Sequence, residues 1–228
     1  KPDVKYNYTI DVQVNGNEEK ILRNSRCKKA SIAPWTGYKV KPIKNLNAKR
    51  PVAIGFGPAG MFASLTLARA GLRPIVFERG TDVDTRTCDV EKFFGGGTLN
   101  TESNIQFGEG GAGTFSDGKL NSGIKDVRCK TVLKTFYEFG AQKNILTDAK
   151  PHIGTDVLKK VVKNIREEII SLGGEFNFNS KLDGIFLQED LLCAISVNGK
   201  KYDCQSLVLC IGHSARDTFK MLYDSGIE

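Results

Sequence analysis

Residues 4–14 (VKYNYTIDVQV) alternate strictly, with Val4, Tyr6, Tyr8, Ile10, Val12 and Val14 on one face and polar residues on the other. That period of two predicts a half-buried strand, ended by Asn15-Gly16-Asn17. Residues 18–49 carry no strong period. Pro34, Trp35, Gly37, Pro42 and the basic stretch to Arg50 read as a connector, with a boundary near 49. From Pro51 the pattern changes. A short apolar run, VAI, enters a glycine turn, and residues 58–70 then place Ala59, Phe62, Ala63, Leu67 and Ala70 on one helical face before Gly71. PIVFE (74–78) is a second buried strand ending in an acid, so the unit reads as β-α-β with a parallel pair.

Residues 95–123 form a long glycine-rich stretch, and a loop of that length is usually functional or disordered. Helical periodicity returns at about 126–139 (Val132, Leu133, Phe136, Phe139). It is cleaner at 156–172, where Val157, Leu158, Val161, Val162, Ile165 and Ile169 make a stripe ended by Gly173. Segments near 175–178, 181–187, 191–197 and 200–204 alternate, and Asn198-Gly199 is a two-residue hairpin signal. SLVLCIG (206–212) is a buried strand. Ser214 with Asp217 three residues on predicts a capping box for a last helix.

These elements predict an α/β fold: a small strand-bearing N-terminal segment (1–49), then a doubly wound, parallel-sheet domain (50–228). The meander of 181–204 should cover one side of its sheet. Composition agrees, since 228 residues with 40% hydrophobic and 26% charged positions suffice for a core. No apolar run is long enough to span a bilayer and no signal-peptide pattern opens the chain, so no membrane partner is expected. The chain begins at Lys1 and stops at Glu228, and reads as part of a longer protein.

The net charge of +7 suggests nucleic acid until it is divided along the chain. Residues 1–50 hold 12 Lys/Arg against 4 Asp/Glu, whereas the rest hold 21 against 22. The excess is confined to a short segment and interspersed with apolar residues. A solvated face or an interdomain contact therefore explains it better than nucleic acid. The six cysteines form no CxxC pair and there are only two histidines, which argues against zinc and against a redox disulfide. A reducing, cytoplasmic setting fits.

Gly55, Gly57 and Gly60 form a GxGxxG motif between strand and helix, and Glu78 lies 23 residues after the first glycine at the end of the next strand. Gly55 permits the turn, Gly57 lets backbone approach a pyrophosphate, and Gly60 lets helix pack on strand. Pro58 and Ala59 begin the helix whose N-terminus faces the phosphate charge. Glu78 would accept hydrogen bonds from an adenosine ribose and repel a 2′-phosphate. Arg79 beside it could favour one, but its simpler role is to line the adenine edge or meet solvent. FAD and NAD fit; NADP at this site is disfavoured. The run Phe107-Gly108-Glu109-Gly110-Gly111-Ala112-Gly113-Thr114 offers amides that a flat ring or a phosphate could approach. Lys119, after Ser116 and Asp117, could stabilise a developing anion, or be a surface lysine. His213 stands at a strand-to-helix junction, where it could donate a proton or serve the turn; His152 reads as structural.

Residues 51–228 resemble the FAD-binding domain of the glutathione-reductase-type flavoproteins, most closely the bacterial FAD-dependent dehydrogenases (NAD(P)/FAD-dependent oxidoreductases). Four stretches carry this: PVAIGFGPAGMFASLTLARAGLRPIVFERG, ESNIQFGEGGAGTFSDGKLN, AKPHIGTDVLKKVVKNIREEIISLGGE and SLVLCIGHSARDTF. The resemblance implies hydride or electron transfer through FAD, with NAD(P)H as a candidate electron donor and a small-molecule substrate. By position it implies Gly55, Gly57 and Gly60 at the pyrophosphate, Glu78 at the ribose and Gly110 to Gly113 on the ribityl or isoalloxazine side. It further implies a backbone contact from Leu182 to the adenine, and closure of a second flavin-side turn by Gly212. The superfamily's later glycine-aspartate motif and any substrate domain are absent from these residues. Two rival readings are a flavin-dependent tRNA-modifying enzyme and a non-catalytic, RNA-associated dinucleotide module.

Overall fold

In the computed structural model the described residues are 3–33, 38–43, 49–124, 126 and 128–227. Of the connector signals, Pro34, Trp35 and Gly37 lie outside them. The chain divides into two units, Lys1–Gly37 and Tyr38–Glu228.

In the first unit the alternating segment is a correction to the sequence reading. Residues 3–14 carry no ladder, and Val4, Tyr6, Tyr8, Ile10 and Val12 are 73–81% exposed. Alternation gives a segment one apolar face, but a strand also needs a partner for its backbone N–H and C=O groups. No described segment of this unit supplies one. Its regular element is instead helix α1 (Glu18–Asn24). Asn17 caps it by accepting from Lys20 N–H at 2.9 Å, and Glu18 and Glu19 sit at the positive end of the dipole.

The second unit is built on a parallel sheet of β1 (Val52–Ile54), β2 (Ile75–Phe77), β3 (Glu175–Asn177) and β7 (Leu207–Leu209), in the order β3-β2-β1-β7. Val52 pairs with Ile75 on one side and with Leu207 on the other. Both faces are covered, which is why β1 reads as a continuous apolar run. Ala53 and Val76 point to one face, against helices α2 (Pro58–Arg69) and α5 (Thr155–Ser171). There the stripe Leu158, Val161, Val162, Ile165 and Ile169 is buried, with Phe136 of helix α4 (Arg128–Glu138) in the same cluster. Val52, Ile54 and Phe77 point to the other face, against an antiparallel meander of β4 (Leu182–Gln188), β5 (Leu191–Val197) and β6 (Lys200–Asp203). Leu182, Ile195 and Val197 of the meander complete that second core. The expected cover of one sheet side by residues 181–204 is thus present.

Two local readings change. Helix α3 (Val83–Phe94) has no counterpart in the sequence reading. Asp82 caps it through the N–H groups of Asp84 and Thr85, but its buried face is Val83, Arg86 and Val90, too mixed to show an apolar period. The last helix, α6 (Arg216–Asp224), lacks the predicted capping box: Ala215 is its N-cap, without a side-chain cap bond. Ser214 Oγ instead donates to Gln106 at 2.9 Å, and Asp217 accepts from Arg79. Tertiary partners have taken both side chains away from the helix end.

Candidate functional site

The chain reverses direction across the sheet at β1, since β2 and β3 lie to one side of it and β7 to the other. In such sheets the carboxyl ends of the strands flanking the reversal leave a crevice. Here a cavity of about 710 Å³ opens there, lined by Ile54, Gly55, Gly57 to Ala59 and by residues from Leu209 to Ala215. That volume suits a cofactor-sized ligand.

The fingerprint glycines divide by role. At Gly55 φ is +90°, and a Cβ there would collide with the Cys210 carbonyl of the neighbouring strand end. A Cβ at Gly60 would run into the Gly55 carbonyl, so this glycine sets helix-to-strand packing and does not line the cavity. Gly57 differs from both. Its backbone (φ −73°, ψ −173°) is open to any residue, and a Cβ would make only an ordinary 3.6 Å contact with Gly111 Cα. The protein does not need glycine here; a ligand lying against the backbone would. Gly57 is also the N-cap of α2, with no side-chain cap and no acid in the first turn. The orphan N–H groups and the positive dipole end therefore remain available beside Pro58 and Ala59, which line the cavity with it. These features fit a pyrophosphate, and with it FAD or another dinucleotide.

Glu78 lines the cavity although it is only 4% exposed. Its Oε2 accepts from Phe56 N–H at 2.7 Å, and its Oε1 accepts from Gly80 N–H at 2.9 Å and Gly108 N–H at 3.0 Å. The carboxylate thus joins the fingerprint turn to the glycine-rich loop. An ionised carboxylate has about four acceptor positions, so one remains for a ribose hydroxyl. The sequence reading of Glu78 as a ribose acceptor omitted this second, structural task. Replacement by Gln puts an NH₂ against at least one backbone N–H that is buried with it. We expect Glu78→Gln to lower unfolding stability by about 1–3 kcal/mol as well as weakening adenosine binding. Urea melts beside nucleotide titrations check this, and an unchanged melt would mean the amides find other acceptors.

Arg79 lines the cavity but neither meets solvent freely nor is available as a lone cation. Its guanidinium lies 4.0 Å from the centroid of the Phe107 ring and donates to Glu102 and Asp217. Although burial opposes it, the Asp217 and Glu102 bonds raise its pKa above the ordinary arginine value.

The glycine-rich loop contributes less uniformly than its amides suggest. Gly111, Ala112 and Gly113 line the cavity, whereas Gly110 and Thr114 do not. Gly110 N–H is spent on the Phe56 carbonyl at 2.8 Å, and a Cβ at Gly110 would strike Thr114 Oγ1. Both residues therefore shape the loop from behind. Glu109 is fully buried, accepting from Val83 N–H and Arg166 at 2.7 Å each; burial raises its pKa against the pull of those two partners. Residues 112–115 close into a 3₁₀ turn, so the stretch read as one long loop is partly ordered by its own turn.

Leu182 and Gly212 line the cavity, as does His213. His213 Nε2 stands 3.0 Å from Arg216 Nη2; since arginine can only donate, that nitrogen is the acceptor. Lys119 does not reach the site. It is 67% exposed, paired with Asp117 at 2.6 Å, and its strand-like bridge is to His152. Sequence reasoning missed Gln106, Lys181 and Thr218, which also line the cavity. Lys181 adjoins Leu182 in sequence, but nothing local marks the other two. Among the described residues no His/Cys/Asp/Glu group could hold a metal, all six cysteines are unpaired, and no helix is long and apolar enough to cross a membrane.

No family model matches the chain. A protein of Clostridium beijerinckii, described only as uncharacterized, is 53% identical over 230 residues that cover 100% of this chain and 43% of that protein. The chain thus spans less than half the length of this curated relative. Among solved structures, Thermovibrio ammonificans THI4 shares 16% identity over 79% of this chain and 63% of its own, with a TM-score of 0.53. L-proline dehydrogenase from P. horikoshii shares 13% identity over 79% and 56%, with a TM-score of 0.52. With the four-stranded parallel sheet and the antiparallel meander, these likenesses establish a doubly wound, Rossmann-like α/β fold.

Proposed function

We propose that the chain is the FAD-binding part of a flavin-dependent oxidoreductase of the dehydrogenase type, working on a small-molecule substrate with NAD(P)H as a candidate electron donor. The observation that carries this reading is Gly57, a glycine that the fold does not require, placed at an uncapped helix N-terminus inside the switch-point cavity. Gly57, Pro58 and Ala59 would hold the pyrophosphate, Glu78 the adenosine ribose, and Gly111 to Gly113 with Gly212 the flavin side. Bound FAD supplies hydride acceptance, which no side chain can provide. The chain's own residues position the cofactor. His213, whose Nε2 stands 3.0 Å from Arg216 Nη2, brings an imidazole to the cavity lining. Six unpaired cysteines accord with a reducing, cytoplasmic setting.

An absorbance spectrum tests the reading directly. After incubation with FAD and removal of unbound ligand, the protein should show flavin bands near roughly 370 and 450 nm. A colourless protein that releases no flavin on denaturation would overturn it.

A further inference from the structure

Four charged side chains meet beside Glu78 at one end of the cavity. Arg79, with 13% of its side chain exposed, donates to Glu102 at 2.7 Å and to Asp217 at 2.9 Å. Lys181 reaches Asp217 at 2.6 Å and Glu102 at 3.9 Å. Glu78, next to Arg79, is held by the backbone N–H groups of Phe56, Gly80 and Gly108. Arg79, Lys181 and Glu78 line the cavity, while Asp217 and Glu102 stand behind it. Two carboxylates, Glu102 and Asp217, thus face two cations, and both cations are engaged from outside the cavity.

A ribose 2′-phosphate would need those cations. It carries negative charge into a wall that holds Glu78, and only a guanidinium or ammonium able to turn toward it could offset the repulsion. Asp217 is the group best placed to prevent that turn. It alone contacts both cations within 3 Å, and its position is fixed by helix α6, where its Oδ1 also accepts from Thr218 N–H at 2.9 Å. Glu102 sits in the loop and touches Lys181 only at 3.9 Å. The Arg79 hydrogen bond, outweighing partial burial, holds the Asp217 carboxyl well below the usual carboxylate range, so the clamp stays charged at neutral pH.

We propose that Asp217 is a specificity-determining residue. By engaging Arg79 and Lys181 it withholds both cavity cations from a 2′-phosphate, so the site takes a dinucleotide whose adenosine ribose is unphosphorylated. The proposal rests on the dinucleotide reading of the cavity and goes beyond it, because Arg79 following the ribose acid permits either preference on sequence alone. Asp217 acts through Arg79 and Lys181 and need not touch the ligand.

Calorimetric titration of the cofactor-free chain with ADP-ribose and with its 2′-phosphate, which differ only in that group, tests it. The unsubstituted chain should prefer ADP-ribose. Asp217→Asn keeps the side-chain shape and removes the charge. It should reduce that preference by about tenfold, the value of one charge-assisted hydrogen bond from a released cation to the 2′-phosphate. Adding Arg79→Met to Asp217→Asn should restore much of the preference. A preference unmoved by Asp217→Asn overturns the proposal, as does an equal loss of both ligands, which would make Asp217 only a prop for the wall. If the unsubstituted chain binds neither ligand, the dinucleotide reading fails and the specificity proposal fails with it.

Discussion

Gly57→Val should produce a folded protein that no longer retains flavin. The expectation is unusual for a glycine in a tight turn, and it follows from three features of this one. Its dihedrals lie in the extended region, so a side chain brings no backbone strain. A Cβ finds only the Gly111 Cα at an ordinary distance. Gly57 and Gly111 both line the cavity, so a pyrophosphate on the N-terminus of α2 would lie where the larger side chain must find room. Stability should therefore move by less than about 1 kcal/mol, in keeping with a site free of the usual destabilising causes. Flavin content should fall from near one per chain to below about a tenth, because the added carbons occupy ligand space. Gly57→Ala should lie between. The contrast is Gly60→Ala, whose Cβ meets the Gly55 carbonyl; it should lose stability and flavin together. Absorbance after desalting and urea melts on the same samples separate the two behaviours. A Gly57→Val protein that stays yellow places the cofactor elsewhere.

How much of this could be read before the structure depends on whether a residue's partner is local. The stripe of α5, the β-α-β unit around Gly55–Gly60 and the Asn198-Gly199 hairpin are set by spacing along the chain, and all three are present. The alternation of residues 4–14 encodes an amphipathic segment but not its partner, and no ladder forms among the described residues of that unit. Ser214 and Asp217 have capping-box spacing, yet Gln106 and Arg79, 108 and 138 residues away, compete successfully for them. Lys119 follows the glycine-rich run in sequence, but the pairing of 118–120 with 151–153 carries it to the surface. Helix α3 is invisible in the sequence because its most buried side chain is an arginine.

That arginine supports the other large effect. Arg86 is 0% exposed, and its guanidinium donates to four carbonyls of the glycine-rich loop: Asn104 at 2.8 Å, Ile105 at 2.9 Å, Gly108 at 3.3 Å and Glu109 at 2.6 Å. Its face lies 4.7 Å from the centroid of Phe115. Burial lowers its pKa to about 10, against the pull of Glu78 and Glu109, so it remains charged at neutral pH. A planar fork is the one side chain that can serve four divergent acceptors at once. The loop in turn keeps a glycine at 108, since a Cβ there would strike the Arg86 side chain. Truncation to Ala removes the donors of several buried carbonyls and leaves a cavity the size of a long side chain. We expect Arg86→Ala to lower stability by about 3–5 kcal/mol, and Arg86→Lys by roughly half of that, because an ammonium has only three donors on a single atom. Loop 104–108 carries Gln106, Phe107 and the Gly108 amide that holds Glu78, so flavin retention should fall in step with stability. This parallel loss is the opposite of the behaviour expected for Gly57→Val. Urea denaturation followed by circular dichroism measures the first quantity and bound-flavin absorbance the second. If Arg86→Ala melts within about 1 kcal/mol of the unsubstituted protein, the loop carbonyls reach water instead, and Arg86 does not organise the cavity wall.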